Sequence, residues 1–375
     1  GVAGMARPLS LYIHLPFCST LCFYCGCNKI VTRDRNKGEV YLDYLGREMA
    51  LQAAALGGDK VVHQMHWGGG TPNFFTIPQV TALMAKLREH FTFDPQGEYS
   101  VELDPRHADA QYIAGLAALG VNRISLGVQD FEPEVQRAVH RLQSEAQTIE
   151  VIEAARTHGL RGVNVDLMYG LPKQTLESFE RTLDRVIAAA PDRLAVYNYA
   201  HYIGMDHFAR ADDGLSVAQR EGRLHRNFQG YSTHADSDLL ALGVSAIGNI
   251  GPTYSQNYRT AEEYYACLDR GELPVMRGLE LTDDDLLRRA VIGTLMCHFA
   301  LDKQAVARAH GIDFDAYFAD ELAQLREMQD LGMVELDAQG IRVTLKGRLL
   351  VRNVSMVFDR YLRKDEQQRR YSRVI

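Results

Sequence analysis

Short apolar runs alternate with amphipathic stretches through the first half of the chain. Leu9–Leu15 (L-S-L-Y-I-H-L) has the apolar and aromatic content of a strand, and Pro16 closes it. Glu39–Leu56 repeats Tyr41, Tyr44, Leu45, Met49 and Ala53 at intervals of three and four, the helix period. The alternation goes on. Strands are predicted at Val61–Trp67, Tyr99–Leu103, Arg123–Leu126, Gly162–Met168 and Arg193–Tyr199. Helices are predicted at Ile77–Phe91, Ala110–Leu119, Ser144–Thr157 and Thr175–Ala189. Ser144 with Gln147 reads as a capping box, and Gly120 and Gly159 as helix stops. Strict alternation predicts a parallel sheet coated by helices. The expected fold class is therefore α/β, an incomplete six-stranded (βα)6 TIM-like barrel, with an open doubly wound sheet as the alternative.

The second half reads differently. Tyr202–His207 has strand character, but almost nothing separates it from Tyr199, and parallel neighbours need a connection of about a dozen residues or more. A segment is expected to be missing near residues 201–203. From Arg210 the chain is loop-like, apart from the apolar, glycine-rich Leu239–Ile250. Thr282–Phe299 opens with an N-cap and acids, Phe314–Gly332 is amphipathic, Val334–Val343 is a hairpin, and Lys346–Tyr361 is a last long helix. Helices followed by a hairpin suggest a winged-helix-like module. The expected domains are residues 1–250, the partial barrel, and 251–375, the C-terminal helical module with its hairpin.

Composition narrows the function classes. The chain has 375 residues, 46% of them hydrophobic, with a formal net charge of -7, so bulk electrostatics do not favour nucleic acid. No apolar run is long enough to span a membrane, and a monomer is expected. Of the 6 cysteines, Cys18, Cys22, Cys25 and Cys27 sit within one short stretch. That is no secreted disulfide framework, and a cytoplasmic location is the better fit.

That stretch, C-S-T-L-C-F-Y-C-G-C, carries the chemistry. Cys18, Cys22 and Cys25 are spaced to hold three corners of a cubic 4Fe-4S cluster. An extended Gly26 would keep the Cys27 side chain parallel to that of Cys25 and turned away from the shared centre. A sharp turn at Gly26 would make Cys27 a fourth ligand; a zinc site and a disulfide are further alternatives. Three ligands leave one iron open. The polar and glycine residues Gly68, Gly69, Gly70, Thr71, Glu102, Gln129 and Asp166 fall at or just after strand C-terminal ends, where an α/β barrel keeps its chemistry.

C-x3-C-x2-C after strand one and G-G-G-T-P after strand two resemble the radical S-adenosylmethionine (SAM) superfamily. Y-I-H-L-P-F-C, C-G-C-N-K, G-V-Q-D-F, D-L-M-Y-G-L-P-K-Q-T, G-M-D-H-F-A, H-R-N-F-Q-G-Y and Y-S-R-V-I narrow the resemblance to the oxygen-independent coproporphyrinogen III oxidases. The family carries an N-terminal arm that is absent here, and a long segment where Tyr202 alone stands. A sister group of haem-binding chaperone-like proteins typically lacks the second cysteine of C-G-C and the H-R-N-F-Q-G-Y run, both present in this chain.

The resemblance implies one 4Fe-4S cluster on Cys18, Cys22 and Cys25, and two SAM molecules. Tyr12, Tyr24, Gly68, Gly69, Gly70, Thr71, Glu102, Gln129, Arg141, Asp166, Ala200 and Ile247 are the implied SAM contacts, and Glu102 and Cys27 the catalytic candidates. The implied substrate is coproporphyrinogen III. Two of its four propionates become vinyl groups, giving protoporphyrinogen IX, carbon dioxide, methionine and 5′-deoxyadenosine. A reduced donor such as flavodoxin or ferredoxin is the expected partner. Arg210, His225 and Arg226, with His207, are candidates for meeting carboxylates. Cys267 and Cys297 read as inert packing. A plain electron-transfer iron–sulfur protein is the other class of reading; it would need a fourth ligand and no G-G-G-T-P.

Overall fold

A computed structural model describes residues 7–57, 61–198, 207–228, 230–235 and 237–364. The sequence-predicted strands are present as β1 (Leu9–Leu15), β2 (Val61–Gly69), β3 (Thr92–Leu103), β4 (Arg123–Gln129), β5 (Gly162–Tyr169) and β6 (Arg193–Asn198). The helices between them are α1 (Arg35–Leu56), α2 (Ile77–His90), α3 (Ala110–Ala118), α4 (Glu145–Thr157) and α5 (Leu176–Ala188). Their starts are set locally. Asp34 accepts from the Asn36 amide ahead of α1, and Thr76–Gln79, Ser144–Gln147 and Thr175–Ser178 form capping boxes on α2, α4 and α5.

β1 to β6 lie side by side in sequence order, and the pairings from β1 through β5 are parallel. Leu11, Ile13, Met65, Trp67, Val101, Ile124, Leu126, Val163 and Val165 are buried on one face. They pack with Tyr41, Leu45 and Met49 of α1, Leu83 and Leu87 of α2, Ile113 of α3, Val151 of α4 and Val186 of α5. The other face is polar. Register sets Tyr12 beside His66, His66 beside Ser100, Glu102 beside Ser125, Ser125 beside Asn164 and Gly127 beside Asp166.

The sheet is larger than the six strands expected. Asp238–Leu242 (β7) pairs parallel to β1 on the side away from β2, so β1 is interior. Ile247–Ile250 (β8), Thr253–Asn257 (β9) and Val275–Glu280 (β10) continue antiparallel beyond it. The chain from 238 to 257 is therefore sheet, where the sequence reading placed loop and close packing. Buried Glu48 of α1 pins this extension. It accepts from the Gly243 amide at 2.7 Å, Asn257 Nδ2 at 2.6 Å and the Tyr264 hydroxyl at 2.5 Å. Burial pushes its carboxyl up to about 7, which those hydrogen bonds only partly offset.

The chain divides into two compact units, Gly1–Val196 with Asp236–Glu280, and Tyr197–Ala235 with Leu281–Ile375. The first runs past residue 250, because β9 and β10 extend its sheet by hydrogen bonding. The second has its own core of Leu287, Val291, Leu295, Phe314, Phe318, Leu325, Val354 and Phe358. The helix Asp283–His298 starts in a Thr282–Asp285 capping box. Val334–Leu336 and Gly340–Val343 form the hairpin, with Ala300–Asp302 as a third antiparallel strand. Two helices differ from expectation. Phe314–Gly332 is broken at Phe318 (φ -105°, ψ 30°), whose ring is fully buried in the core. Lys346–Tyr361 is split into Leu345–Arg348, Val351–Met356 and Arg360–Lys364. No helix among the described residues is long and apolar enough to cross a membrane.

Candidate active site

The cysteine loop leaves the C-terminal end of β1. Phe17–Cys18 pairs with Ile30–Val31, which folds the loop back on itself. Cys18 and Cys22 are buried, Cys25 is half-buried, Cys27 is exposed, and all four are free thiols. Cys18 Sγ lies 3.4 Å from Thr71 Oγ1, and burial raises its thiol. The Cys27 thiol hydrogen-bonds to Cys25. That contact is the main reason why the Cys25 thiol falls to about 5 and the Cys27 thiol rises. Cys27 was expected to turn away from the other sulfurs. Here its thiol adjoins that of Cys25.

The glycine loop leaves the neighbouring strand. The Gly70 amide donates to Leu15 O at 2.9 Å and the Thr71 amide to Phe17 O at 2.8 Å. Gly69 has φ +110°, and a Cβ there would lie 2.5 Å from the His14 ring. A Cβ on Gly70 would lie 2.6 Å from the Pro16 backbone carbon. Neither position tolerates a side chain: the His14 ring and the positive φ exclude one at Gly69, and the Pro16 and Phe17 backbone excludes one at Gly70.

The polar face lies beside these loops. His66 Nε2 is 3.0 Å from Glu102 Oε1, and its Nδ1 is 2.7 Å from Ser100 Oγ. The Tyr12 ring stacks over His66, with its hydroxyl 3.0 Å from His14 Nδ1. Burial raises the Glu102 carboxyl, but the His66 hydrogen bond and charge and the Gly69 amide outweigh it, so it sits below the usual range. Yet 43% of its side-chain surface is accessible, so it faces open volume and not packed atoms. Asp166 accepts from Ser125 Oγ at 3.0 Å and Asn164 Nδ2 at 2.7 Å. Burial, with the charge of Glu102, pushes it up to about 7.

Gln129 and Arg141 complete the set. Gln129 ends β4 in left-handed backbone, φ 68°, a conformation a non-glycine residue holds only when its surroundings fix it. Its Oε1 and Arg141 Nε are buried and lack a hydrogen-bond partner. Arg141 is 7% exposed. Its Nη2 donates to Gly127 O at 2.6 Å, and its Nη1 lies 3.5 Å from Cys22 Sγ. Tyr24 packs against Val135, Val139 and Leu171 and hydrogen-bonds to Cys22.

The remaining candidates lie on other elements. Ile247 opens β8, two strands from β1 on the side away from Glu102. Ala200 and the join at 201–203 lie outside the described residues. In the second unit, Arg210 is paired with Asp212 at 3.2 Å. Arg226 sits 5.7 Å over the Tyr231 ring, beside His225 in the hairpin with Gly230–Ser232. His207 stands edge-on to Tyr197 and Tyr231. Cys267 and Cys297 are buried. Sequence reasoning missed His66, His14 and Asp104. The first two lay inside predicted strands, and only their pairing register puts them on the polar face.

The model of the Radical SAM superfamily matches residues 12–186, and that of the HemN C-terminal domain residues 281–350. The oxygen-independent coproporphyrinogen III oxidase of Pseudomonas aeruginosa is 47% identical over 410 residues, covering 98% of this chain and 89% of the relative. That of Escherichia coli K12 is 46% identical over 408 residues, with the same coverage. A solved structure described as "Coproporphyrinogen III oxidase (HemN) from Escherichia coli is a Radical SAM enzyme" superposes with a TM-score of 0.91 at 46% identity, over 95% of this chain and 91% of that one.

The chain belongs to the oxygen-independent coproporphyrinogen III oxidases, in the radical SAM superfamily.

A radical SAM family implies a 4Fe-4S cluster and SAM, and the residues fit both. Three free thiols stand on one loop at the C-terminal end of the sheet. Among the described residues no group of three His, Cys, Asp or Glu closes around a single metal ion. That is no conflict, since each cysteine of a cube binds a different iron and the sulfurs stand farther apart than ligands of one ion. The unpartnered Gln129 Oε1 and Arg141 Nε are an acceptor and a donor, matching a ligand with both ammonium and carboxylate groups. The alignment with the Pseudomonas oxidase is longer than the part of this chain it uses. Roughly forty of its 410 positions have no residue here.

Proposed function

We propose that this chain converts two propionate side chains of coproporphyrinogen III to vinyl groups, giving protoporphyrinogen IX by radical SAM chemistry. The observation that carries the reading is similarity at 47% identity over 98% of the chain to relatives of that name. The polar set at the strand ends supports it independently. The same similarity favours turnover over the haem-chaperone alternative. We read β1 to β6 as the open barrel of the superfamily, and the part from Leu281 as a winged-helix-like module without a nucleic-acid role.

Cys18, Cys22 and Cys25 would hold the cluster, and two SAM molecules would lie against the polar face. When bound, the cluster supplies one electron that splits SAM into methionine and a hydrogen-abstracting 5′-deoxyadenosyl radical. The chain's own residues do the rest. Ionised Glu102, fixed by His66, attracts an ammonium or accepts from ribose hydroxyls. Asp166 does the same for a second SAM once ionised. Arg141 pairs with a carboxylate, and Gln129 Oε1 takes a donor. Tyr12, Tyr24 and the backbone of Gly68, Gly69, Gly70 and Thr71 wall the cofactors, with Ala200 and Ile247. Each propionate would lose one hydrogen atom to the 5′-deoxyadenosyl radical, then carbon dioxide with one electron that passes to a one-electron acceptor. Cys27, exposed beside Cys25, is the candidate for a proton or hydrogen transfer at the substrate. A reduced one-electron donor such as flavodoxin or ferredoxin would feed this cytoplasmic monomer.

The test is anaerobic reconstitution with iron and sulfide, then incubation with SAM, a reductant and coproporphyrinogen III. Vinyl products with 5′-deoxyadenosine are expected. A loaded protein that cleaves SAM and leaves the propionates intact would sink the reading.

A further inference from the structure

Asp104 stands one residue past β3 as a carboxylate that is only 5% exposed, and it holds two guanidiniums. Its Oδ2 accepts from Arg106 Nη2 at 2.6 Å and Arg141 Nη1 at 3.2 Å, and its Oδ1 from Arg106 Nε at 3.0 Å. Its backbone is fixed as well. The Asp104 amide donates to Asn73 Oδ1 at 3.0 Å, and Asn73 Nδ2 returns a bond to Asp104 O at 2.8 Å. The G-G-G-T-P-N loop thus locks the strand end that carries the carboxylate.

Both arginines are aimed at one sulfur. Arg141 Nη1 lies 3.5 Å from Cys22 Sγ, and Arg106 Nη2 lies 3.9 Å from it and 3.5 Å from Thr20 Oγ1. Two guanidiniums against one carboxylate leave a net charge of +1 beside a buried cysteine. Arg141 also has a carboxylate to meet in the reading above. Arg106 has no such duty, and its side chain is 15% exposed, so its charge is poorly screened.

We propose that Arg106, held in place by Asp104, raises the reduction potential of the cluster through Cys22. This rests on the reading that Cys18, Cys22 and Cys25 hold that cluster. Reduction takes one electron from a one-electron donor and brings the cube from 2+ to 1+; no bond breaks and no proton moves. The added negative charge spreads over irons and thiolates. A fixed cation and N–H donors at one thiolate stabilise the reduced form more than the oxidised one. Arg106 is a tuning residue: it acts on the cluster through the Cys22 sulfur, 3.9 Å from its Nη2.

The experiment compares the reconstituted full chain with Arg106→Gln and Arg106→Lys. Iron and sulfide are assayed first. The cluster is then titrated against dithionite with mediators, without SAM, following the EPR signal of the reduced form. Arg106→Gln should carry a full cluster with a potential shifted downward, so that less of it is reduced at a given poise. Arg106→Lys, which keeps the charge, should recover most of the wild-type value. An unchanged potential in loaded Arg106→Gln overturns the proposal, as do equal shifts in the two variants. Failure of Arg106→Gln to hold a cluster also overturns it, since the residue would then be a brace for the loop. Failure of the wild-type chain to load removes the parent reading of the cysteines instead.

Discussion

Within the loop from Cys18 to Cys27, four thiols of the same type differ in what holds them. Cys18 meets Thr71, Cys22 meets two arginines, and Cys25 and Cys27 meet each other. Replacing Cys18, Cys22 or Cys25 by Ala should abolish the brown chromophore after reconstitution, while Cys27→Ala should keep it, as absorbance and iron content will report. A colourless Cys27→Ala protein would make Cys27 a ligand. Asp166 yields a pH prediction. Its carboxyl titrates at about 7, so near pH 6 only about a tenth is ionised, whereas near pH 8 nearly all is. A cation bound beside it prefers the ionised form. SAM affinity should therefore rise about tenfold from pH 6 to pH 8, and Asp166→Asn should flatten the dependence. Anaerobic equilibrium dialysis measures it, and a wild-type affinity independent of pH would refute the assignment. The cysteines and glycines were legible in the sequence because their spacing alone carries chemistry. The left-handed backbone of Gln129 and the burial of Arg141 were not. Both depend on neighbours far along the chain, and a lone arginine in H-R-L-Q has no local mark of burial.

Among the elements, β1 to β6 could be read from local pattern, since each has its apolar face and a capped helix next to it. β7 could not. L-L-A-L-G-V-S-A-I-G-N-I lacks a period of two, glycines interrupt it, and its parallel partner lies more than two hundred residues earlier. What recruits it is buried: Glu48 of α1 accepts from Gly243, Asn257 and Tyr264. Glu48→Ala strands three donors and should cost about 3 kcal/mol in denaturant unfolding at pH 5. The sign with pH follows from a carboxyl raised by burial. Its contribution is complete below the unfolded-state value and is lost as pH rises through about 7. The penalty of the substitution should accordingly shrink from pH 5 to pH 8. A penalty that grows over that range would show Glu48 to be held as an ion.

For the whole molecule, two separate cores predict separable damage. Phe318 is fully buried in the second unit, and Phe318→Ala should cost about 3–5 kcal/mol there. Iron content and SAM cleavage, which we assign to the first unit, should survive at a temperature where the second has lost its near-UV signal. Simultaneous loss of both would mean that the units fold as one.

The first unit is also interrupted in sequence, and this bears on how the protein is made. β1 carries the cysteine loop, yet one of its two partners, β7, is paired Leu9 with Asp238. A ribosome adding about 5–20 residues per second needs on the order of 10–50 s to travel from one to the other. During that interval the strand has one edge open. Closure of both edges of β1 is thus a late step, complete only after Asp238–Leu242 has been made.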